Sequence, residues 1–379
     1  MSVPFSLVAV GDISFEGQSA EQASLEVFSA ARPLFKGSDL VVANLESPLT
    51  RGEKPVPGKC TLRGNPIWAE VMKGAGIHLV TLANNHLMDY GAAGLLSTMQ
   101  ALDEAGIKHV GAGRNKEEAC AALFLEVKGR EIALLARTSV VVSSPSYAGS
   151  EQTGVGFLDI QEIRENIRAC KRQADTVILL IHWGLEEYAY PSPEQRLLAK
   201  ELTNVGADIL IGHHPHVLHG VEKIGKKMVC YSLGNFLFDD VEWSFVDREG
   251  KQHNLVSKLR EENRKGGILK VALSQEGVDS YEFIPTRIDP NGTVRVENTT
   301  ERQREFGRLC SSLHWPAYSF LWRLYSLRQE WKLRLKPMTV GRLKWANMKK
   351  IRPKHFRELY NGIRRSGKIT IEKSTNPYE

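Results

Sequence analysis

The chain has 379 residues, of which 42% are hydrophobic and 25% charged, with a formal net charge of +6; this is the composition of a soluble globular protein, not of a disordered or fibrous one. No run of about eighteen apolar residues occurs, so no hydrophobic spanning helix is expected. Five scattered cysteines without a CxxC pair (Cys60, Cys120, Cys170, Cys230, Cys310) argue against a disulfide framework and a structural zinc site.

In chain order the pattern alternates strand and helix. After Met-Ser-Val-Pro-Phe, with no basic n-region, apolar h-region or cleavage site, the first strand begins near Leu7 and ends LVAVGD on Asp12; cytoplasmic residence is the expectation. A helical stretch is expected around Glu21 to Leu34, then the strand LVVANLE ending on Glu46. A loop rich in Pro and Gly follows, carrying Arg63 and Pro66. Residues 67–75 read as a helix, and LVTLANNH as a strand ending on Asn85 and His86. Gly94 to Ala105 reads as a helix, Lys108 to Val110 as a strand, and 123–127 with 131–136 as a hairpin about Lys128-Gly129-Arg130. The segment 143–156 reads as a loop and 159–173 as an amphipathic helix. VILLIHWG then ends a strand on His182, and 193–205 forms a helix closed by Gly206. ILIGHHPH carries His213, His214 and His216, and MVCYSLGNF ends on Asn235. Residues 240–266 read as charged and mobile, and 268–273 and 278–284 as antiparallel edge strands.

Six of these apolar runs, each rich in Val, Ile and Leu, break into a residue able to bind a metal or move a proton. In layered α/β proteins the carboxyl ends of strands build the site, so six such ends describe one polynuclear metal centre. Weighed singly, Asp12 could be a helix N-cap and Asn84-Asn85-His86 a turn, while His78, His109, His253, His314 and His355 read as ordinary hydrogen-bonded histidines. His214-Pro215-His216 differs: on an extended chain both imidazoles face one side, and proline stiffens the spacer. Imidazoles with carboxylates suit Mn, Fe or Zn better than Mg or Ca. Two ions about 3.5–4 Å apart, bridged by a carboxylate, would activate water and clamp a phosphoryl group, and a free imidazole would protonate the leaving group. Neither GxGxxG nor GxxxxGK[ST] occurs.

The ordered set GDISF, NLESPLT, LANNHLMDYG, IHWGLEEY, GADILIGHHPHVLHGVE and YSLGNFLFD, over about residues 5–285, closely resembles the CapA/PgsA poly-γ-glutamate capsule proteins, relatives of the calcineurin-like metallophosphoesterases. The resemblance implies a four-layer α/β/β/α sandwich, two divalent ions, and a metal-dependent hydrolase of capsule or surface-polymer biosynthesis acting on a phosphoester or related ester or amide. The alternative it leaves open is a non-catalytic assembly factor. Position by position it implies Asp12, Glu46 (the bridge), Asn85, His182, His214 and His216 as ligands and His86 as the acid. Arg63, Glu186 and Asn235 would contact a phosphorylated or polyanionic polymer, and His213 and Asp89 would support the ligands from behind. Three departures stand out: Asp12-Ile13-Ser14 lacks the imidazole of the wider family's Asp-x-His, so that one of the two ions is expected to be held less tightly; Glu46 replaces an aspartate; and the chain shows no membrane anchor.

The charge divides the chain near residue 300. Between Glu301 and Lys368 there are 18 Lys and Arg against 4 Asp and Glu, and four of the seven tryptophans fall there. We therefore expect a domain over 1–300 and a basic, aromatic helical extension over 301–379. Around 314–335, Trp315, Tyr318, Trp322 and Tyr325 recur at helical spacing with Arg323, Arg328 and Lys332 between them. That pattern fits either a stripe packed on the body or an interfacial helix, within 314–365, on an anionic membrane that would make the protein peripheral on its inner face. Nucleic acid is the weakest reading, since no helix-turn-helix, zinc finger or RNP-like motif backs it.

Overall fold

The computed structural model describes residues 5–332 apart from 22, 53, 58, 141–145 and 247–251. Two sheets stack face to face. The first runs, edge to edge, Val294–Val296, Gly277–Ile288, Lys265–Ser274, Phe5–Ile13, Leu40–Leu45, Leu79–Thr81, Lys108–Val110, with Asn235–Leu237 added in parallel beside Asp12 and Ile13. The second runs Val221–Ile224, Lys227–Cys230, Ile209–His213, Thr176–His182, Arg130–Thr138, Leu123–Val127. In the first sheet the four strands from Phe5–Ile13 to the Lys108–Val110 edge are parallel and Lys265–Ser274 is antiparallel to Phe5–Ile13; in the second the four central strands, Lys227–Cys230 to Arg130–Thr138, are parallel.

Side-chain alternation sorts these strands into layers. Leu7, Ala9, Leu40, Val42 and Leu79 face Leu134, Ile178, Leu180, Ile209 and Ile211 between the sheets. The intervening Val8, Val10, Val41, Ala43 and Val80 turn outward onto Trp68, Met72, Leu95 and Leu102, from helices Ile67–Ala75 and Gly91–Glu104. On the far side Leu135, Val177, Leu179 and Leu210 meet Ile163, Ile167, Leu198 and Leu202, from helices Ile160–Lys171 and Pro193–Val205. Strands buried on both faces need apolar residues at every position, hence the unbroken runs in the sequence. The result is the expected α/β/β/α sandwich. Helix ends follow sequence signals as well: Ser192 and Gln195 form a reciprocal capping box.

Three expectations need correction. Among the described residues, 21–34 hold only a 3-10 turn at Leu25–Phe28 and part of a short helix, Arg32–Lys36; Ser24 caps the turn within one residue of its start and Pro33 allows a helix to begin only there. Residues 240–266 are not an unstructured segment: Val241–Val246 pairs with Gln252–Ser257 as a hairpin, followed by a 3-10 turn at Glu261–Arg264. The described ribbon residues Gln252 and Asn254 to Ser257 are exposed, so no core enforces apolar alternation there. The loop read over 143–156 lies partly outside the described residues and ends in a two-residue strand, Gly154–Val155, paired with Ala112–Gly113.

The expected division between residues 300 and 301 falls one residue inside helix Thr300–Ser312, whose Phe306 reaches the core between the sheets. A second helix, Tyr318–Glu330, lays Tyr318 and Trp322 against Tyr188, so within it the aromatic stripe packs on the body. Residues 333–379 lie outside the described chain.

Asp12 is placed by close backbone contact. Its N–H donates to the Gly234 carbonyl at 3.0 Å, and a Cβ on Gly11 would lie 1.9 Å from that oxygen. Gly11→Ala is therefore expected to cost at least about 1–3 kcal/mol, as overpacking does, read as a lower urea midpoint.

Candidate metal centre

The adjoining carboxyl ends of the parallel strands in the two sheets meet at one place. The first sheet delivers Asp12, Glu46 just beyond Leu45, and the loop Asn84-Asn85-His86; the second delivers His182 and the His213–His216 turn. Asp12, Glu46, Asn85, His182, His213 and His214 are all buried, and His216 nearly so. Parallel register explains part of this, because His213 pairs with His182 across adjacent strands. The His214–His216 segment is not extended, as the spacing suggested. It is a turn in which His214 has φ 96° and His216 φ 57°, a region costly for side-chain-bearing residues and concentrated at functional sites. Both rings still reach the centre, with centroids 5.8 Å apart.

Ligand atoms of Asp12, Glu46 and His216 lie within 4.8 Å of one another, and so do those of Glu186, His214 and His216. His182 Nε2 lies 2.7 Å from Asn85 Oδ1 and 4.0 Å from Glu46 Oε1, and its ring centroid is 4.8 Å from that of His214. Two buried atoms in this nest, Glu46 Oε1 and His214 Nδ1, have no hydrogen-bond partner. Orphaned buried polar atoms are rare because each costs about 1–3 kcal/mol; carboxylate and imidazole donors converging around such atoms fit divalent metal ions. Glu186 enters here as a further candidate ligand beside its expected substrate role. Ser14, at the position of the absent imidazole, accepts through Oγ from the Glu16 N–H at 3.2 Å.

Supporting contacts fix the ligands. Asn44 Nδ2 donates to Asp12 Oδ1 at 2.8 Å, and Asn84 Nδ2 donates to Asn44 Oδ1 at 3.2 Å and to the Leu45 carbonyl at 2.8 Å. His213 Nδ1 lies 3.2 Å from Asp12 Oδ1. Asn235 is buried with both ends of its amide engaged: Oδ1 lies 2.9 Å from His216 Nδ1, and Nδ2 donates to the Asn263 carbonyl at 3.0 Å. It orients the His216 ring.

Electrostatics follow from crowding charge in a buried nest. Burial pushes the Glu46 carboxyl well above its ordinary value despite His216 nearby, whereas at Asp12 burial is outweighed by the hydrogen bond and charge of His213 and then by His216, so its carboxyl lies low. Burial, reinforced by His213, His214 and His216, holds His182 well below the usual imidazole range. His214 falls to about 4, mainly through burial. His216 is the exception: burial opposes its charge, but Glu46, Asp12 and Glu186 raise it to about 9. In metal-free protein at neutral pH His216 is thus charged, and a metal must displace its proton. Apparent metal affinity should rise about tenfold per pH unit up to about 9 from this group. Calorimetric titrations in buffers of different ionisation enthalpy should show about one proton released per chain; none released would contradict this assignment.

Beside the ligands, His86 Nδ1 lies 2.8 Å from Asp89 Oδ2, and its backbone N–H donates to Asn84 Oδ1 at 3.0 Å. Asp89 is buried and pairs with Lys59, whose Nζ also donates to the Asn85 carbonyl at 2.7 Å. The Leu62 N–H donates to Asp89 Oδ2 at 2.6 Å. Arg63 is exposed and placed by its backbone, whose N–H donates to Glu16 Oε2 at 2.6 Å; its guanidinium lies 5.6 Å from the Tyr90 ring centre, and no contact joins it to the ligands. Asn44, Asn84 and Lys59 carry roles that sequence reasoning missed. Asn44 had a readable signal, lying two residues before Glu46 on one strand face.

The family model described as bacterial capsule synthesis protein PGA_cap matches residues 6–240, which is more than half of the chain. The chain belongs to this family. Among PGA_cap relatives, the capsule biosynthesis protein CapA of Bacillus anthracis is 30% identical over 291 residues, covering 75% of this chain and 66% of that one, just under two thirds of its length. The PGA biosynthesis protein CapA of Bacillus subtilis is 34% identical over 303 residues, covering 78% and 74%. A putative 5'-nucleotidase from Staphylococcus aureus superposes at 14% identity and TM-score 0.47, covering 81% of this chain and 58% of that one. A likeness that weak bears no argument, and the layered PGA_cap fold rests on its own sheet order and three cores.

Proposed function

We propose that this PGA_cap protein is a metal-dependent hydrolase acting in bacterial capsule or surface-polymer biosynthesis, cleaving a phosphoester or a related ester or amide bond in a phosphorylated or polyanionic substrate. The observation that carries the reading is the convergence of Asp12, Glu46, Asn85, His182, His214 and His216 around buried atoms with no partner, with His86 alongside and held from behind by Asp89. Divalent ions held by those six residues would activate water and neutralise an anionic reacting group. The chain's own groups do the rest. Asp89 fixes the His86 ring through Nδ1, leaving Nε2 to hand a proton to the departing oxygen or nitrogen. Lys59 pairs with the buried Asp89, and Asn44 with His213 holds Asp12. Glu186, at the mouth, faces His214 and His216. The capsule role comes from the family name and the names its relatives carry.

A second reading, a non-catalytic assembly factor that binds metal or polymer without turnover, is favoured by Ser14, whose hydroxyl turns to the backbone where an imidazole ligand would stand. Elemental mass spectrometry on full-length wild type and His214→Ala, purified without chelator, followed by a screen of p-nitrophenyl phosphodiesters and γ-glutamyl amides, separates the two. About two Mn, Fe or Zn per chain, lost in the variant, with turnover of either substrate class, supports the hydrolase. Metal without turnover moves the reading to the assembly factor, and no metal removes the centre.

A further inference from the structure

Helix Tyr318–Glu330, continued by Trp331, is apolar on two opposite sides. One side faces the body: Tyr318 OH donates to the Pro191 carbonyl at 2.7 Å, Trp322 Nε1 to the Tyr190 carbonyl at 3.1 Å, and Tyr325 packs edge-on against Tyr188 and Tyr190. At 3.6 residues per turn, Phe320, Leu324, Leu327 and Trp331 share the other side as one stripe. They are 62%, 51%, 46% and 54% exposed, and they account for four of the thirteen large apolar side chains that the described surface exposes. Arg323 borders this stripe on one edge, Arg328 and then Lys332 on the other, and all three are exposed. The inner side already accounts for the helix's attachment to the body, so the outer stripe has a separate occupant to explain.

We propose that this outer face docks on an anionic lipid surface, with Phe320, Leu324, Leu327 and Trp331 in the headgroup–acyl boundary and Arg323, Arg328 and Lys332 on the lipid phosphates. An apolar stripe edged by arginines with a terminal tryptophan is the pattern that binds such an interface. Charge argues against the other occupants. A second copy would set Arg323, Arg328 and Lys332 against the same residues of its partner. The chain's own residues 333–379 carry 13 Lys and Arg against 3 Asp and Glu, so laying them over the stripe would add like charge to like charge. The same excess, placed beside an anionic surface, strengthens binding.

Docking would also place the metal centre. The helix clamps the loop that follows His182: Gln329 Nε2 donates to the Glu187 carbonyl at 2.9 Å, Tyr325 OH accepts from the Ala189 N–H at 2.7 Å, and Tyr188 OH bonds Glu330 at 2.8 Å. Glu186 is part of that loop. A lipid-bound helix therefore carries the mouth of the centre with it, whatever bond the centre acts on.

The test is co-sedimentation of the full-length protein with phosphatidylcholine vesicles with and without phosphatidylglycerol, at low and high salt. Wild type should partition onto the anionic vesicles only, and less as salt rises. Leu324→Glu and Leu327→Glu should each lower the partition coefficient about tenfold or more, as should the pair Arg323→Gln with Arg328→Gln; none of these should shift the melting temperature. Equal partitioning of wild type and variants, or equal binding to neutral vesicles, would overturn the proposal. A wild-type dimer that Leu324→Glu dissolves in light scattering would assign the face to a second copy instead. A melting temperature lowered by Leu324→Glu would mean that the chain itself covers the stripe.

Discussion

Glu46→Gln should strip the centre of metal while making the metal-free protein more stable. The carboxylate is fully buried, reaches His216 Nε2 at 3.5 Å through Oε1, and has no hydrogen bond on that oxygen. Burial opposes its ionisation by more than the neighbouring His216 favours it, and its pKa lies well above the ordinary value. A carboxyl whose folded pKa is raised binds protons more tightly folded than unfolded. Its contribution to stability is therefore greatest below the unfolded value and declines as pH rises towards the folded one. At neutral pH the metal-free wild type bears that loss, and the isosteric amide does not. Metal reverses the order, because an ion that binds only the folded state stabilises it by mass action. Melting curves with and without added Mn should thus cross: the variant above wild type in chelator, and wild type above the variant in metal. Substituting groups that merely support metal ligands costs about 10–100-fold in affinity or activity, so if Glu46 is a ligand its loss should exceed about 100-fold. A variant that binds metal and melts like wild type in both conditions would remove Glu46 from the centre.

That residue was readable because a carboxylate ending the run LVVANL has no structural reason to be there. The same logic found Asp12, Asn85, His182 and the His213–His216 group, since strands buried on both faces announce themselves and their ends are easily located. It failed where position depends on tertiary contact. Lys59 sits in a loop with no period, and only the folded chain shows it reaching Asp89 and the Asn85 carbonyl. Asn84 looked like a turn residue and is one, its Oδ1 accepting from the N–H groups of His86 and Leu87, yet its amide also holds Asn44. The His214–His216 turn was misjudged as extended because proline fixes its own φ and says little about a histidine forced to positive φ. The 241–257 hairpin was missed for the opposite reason: a ribbon outside the sandwich buries too little for alternation to show.

His86, Asp89 and Lys59 form a chain whose members should fail differently. His86→Ala should leave metal content unchanged and lower kcat by about 10²–10⁴, the usual worth of a positioned acid, on whichever substrate the screen returns. Asp89→Asn keeps the size of the side chain but removes the carboxylate that holds the His86 ring, and it should lose less, about 10–100-fold by analogy with other residues that orient a working imidazole. Lys59→Met is the decisive comparison. Lys59 touches neither a ligand side chain nor His86; it pairs with a fully buried carboxylate and caps the carbonyl of a ligand residue. Removing one partner of a buried pair costs about 3–5 kcal/mol, because the other charge is left uncompensated, so urea denaturation should show a loss of that size where His86→Ala shows little. If Lys59 also sets the geometry of the acid, kcat should fall in Lys59→Met with KM and metal content near wild type, and Lys59→Arg should recover part of it. A stable Lys59→Met protein with wild-type kcat would mean that Asp89 orients His86 unaided.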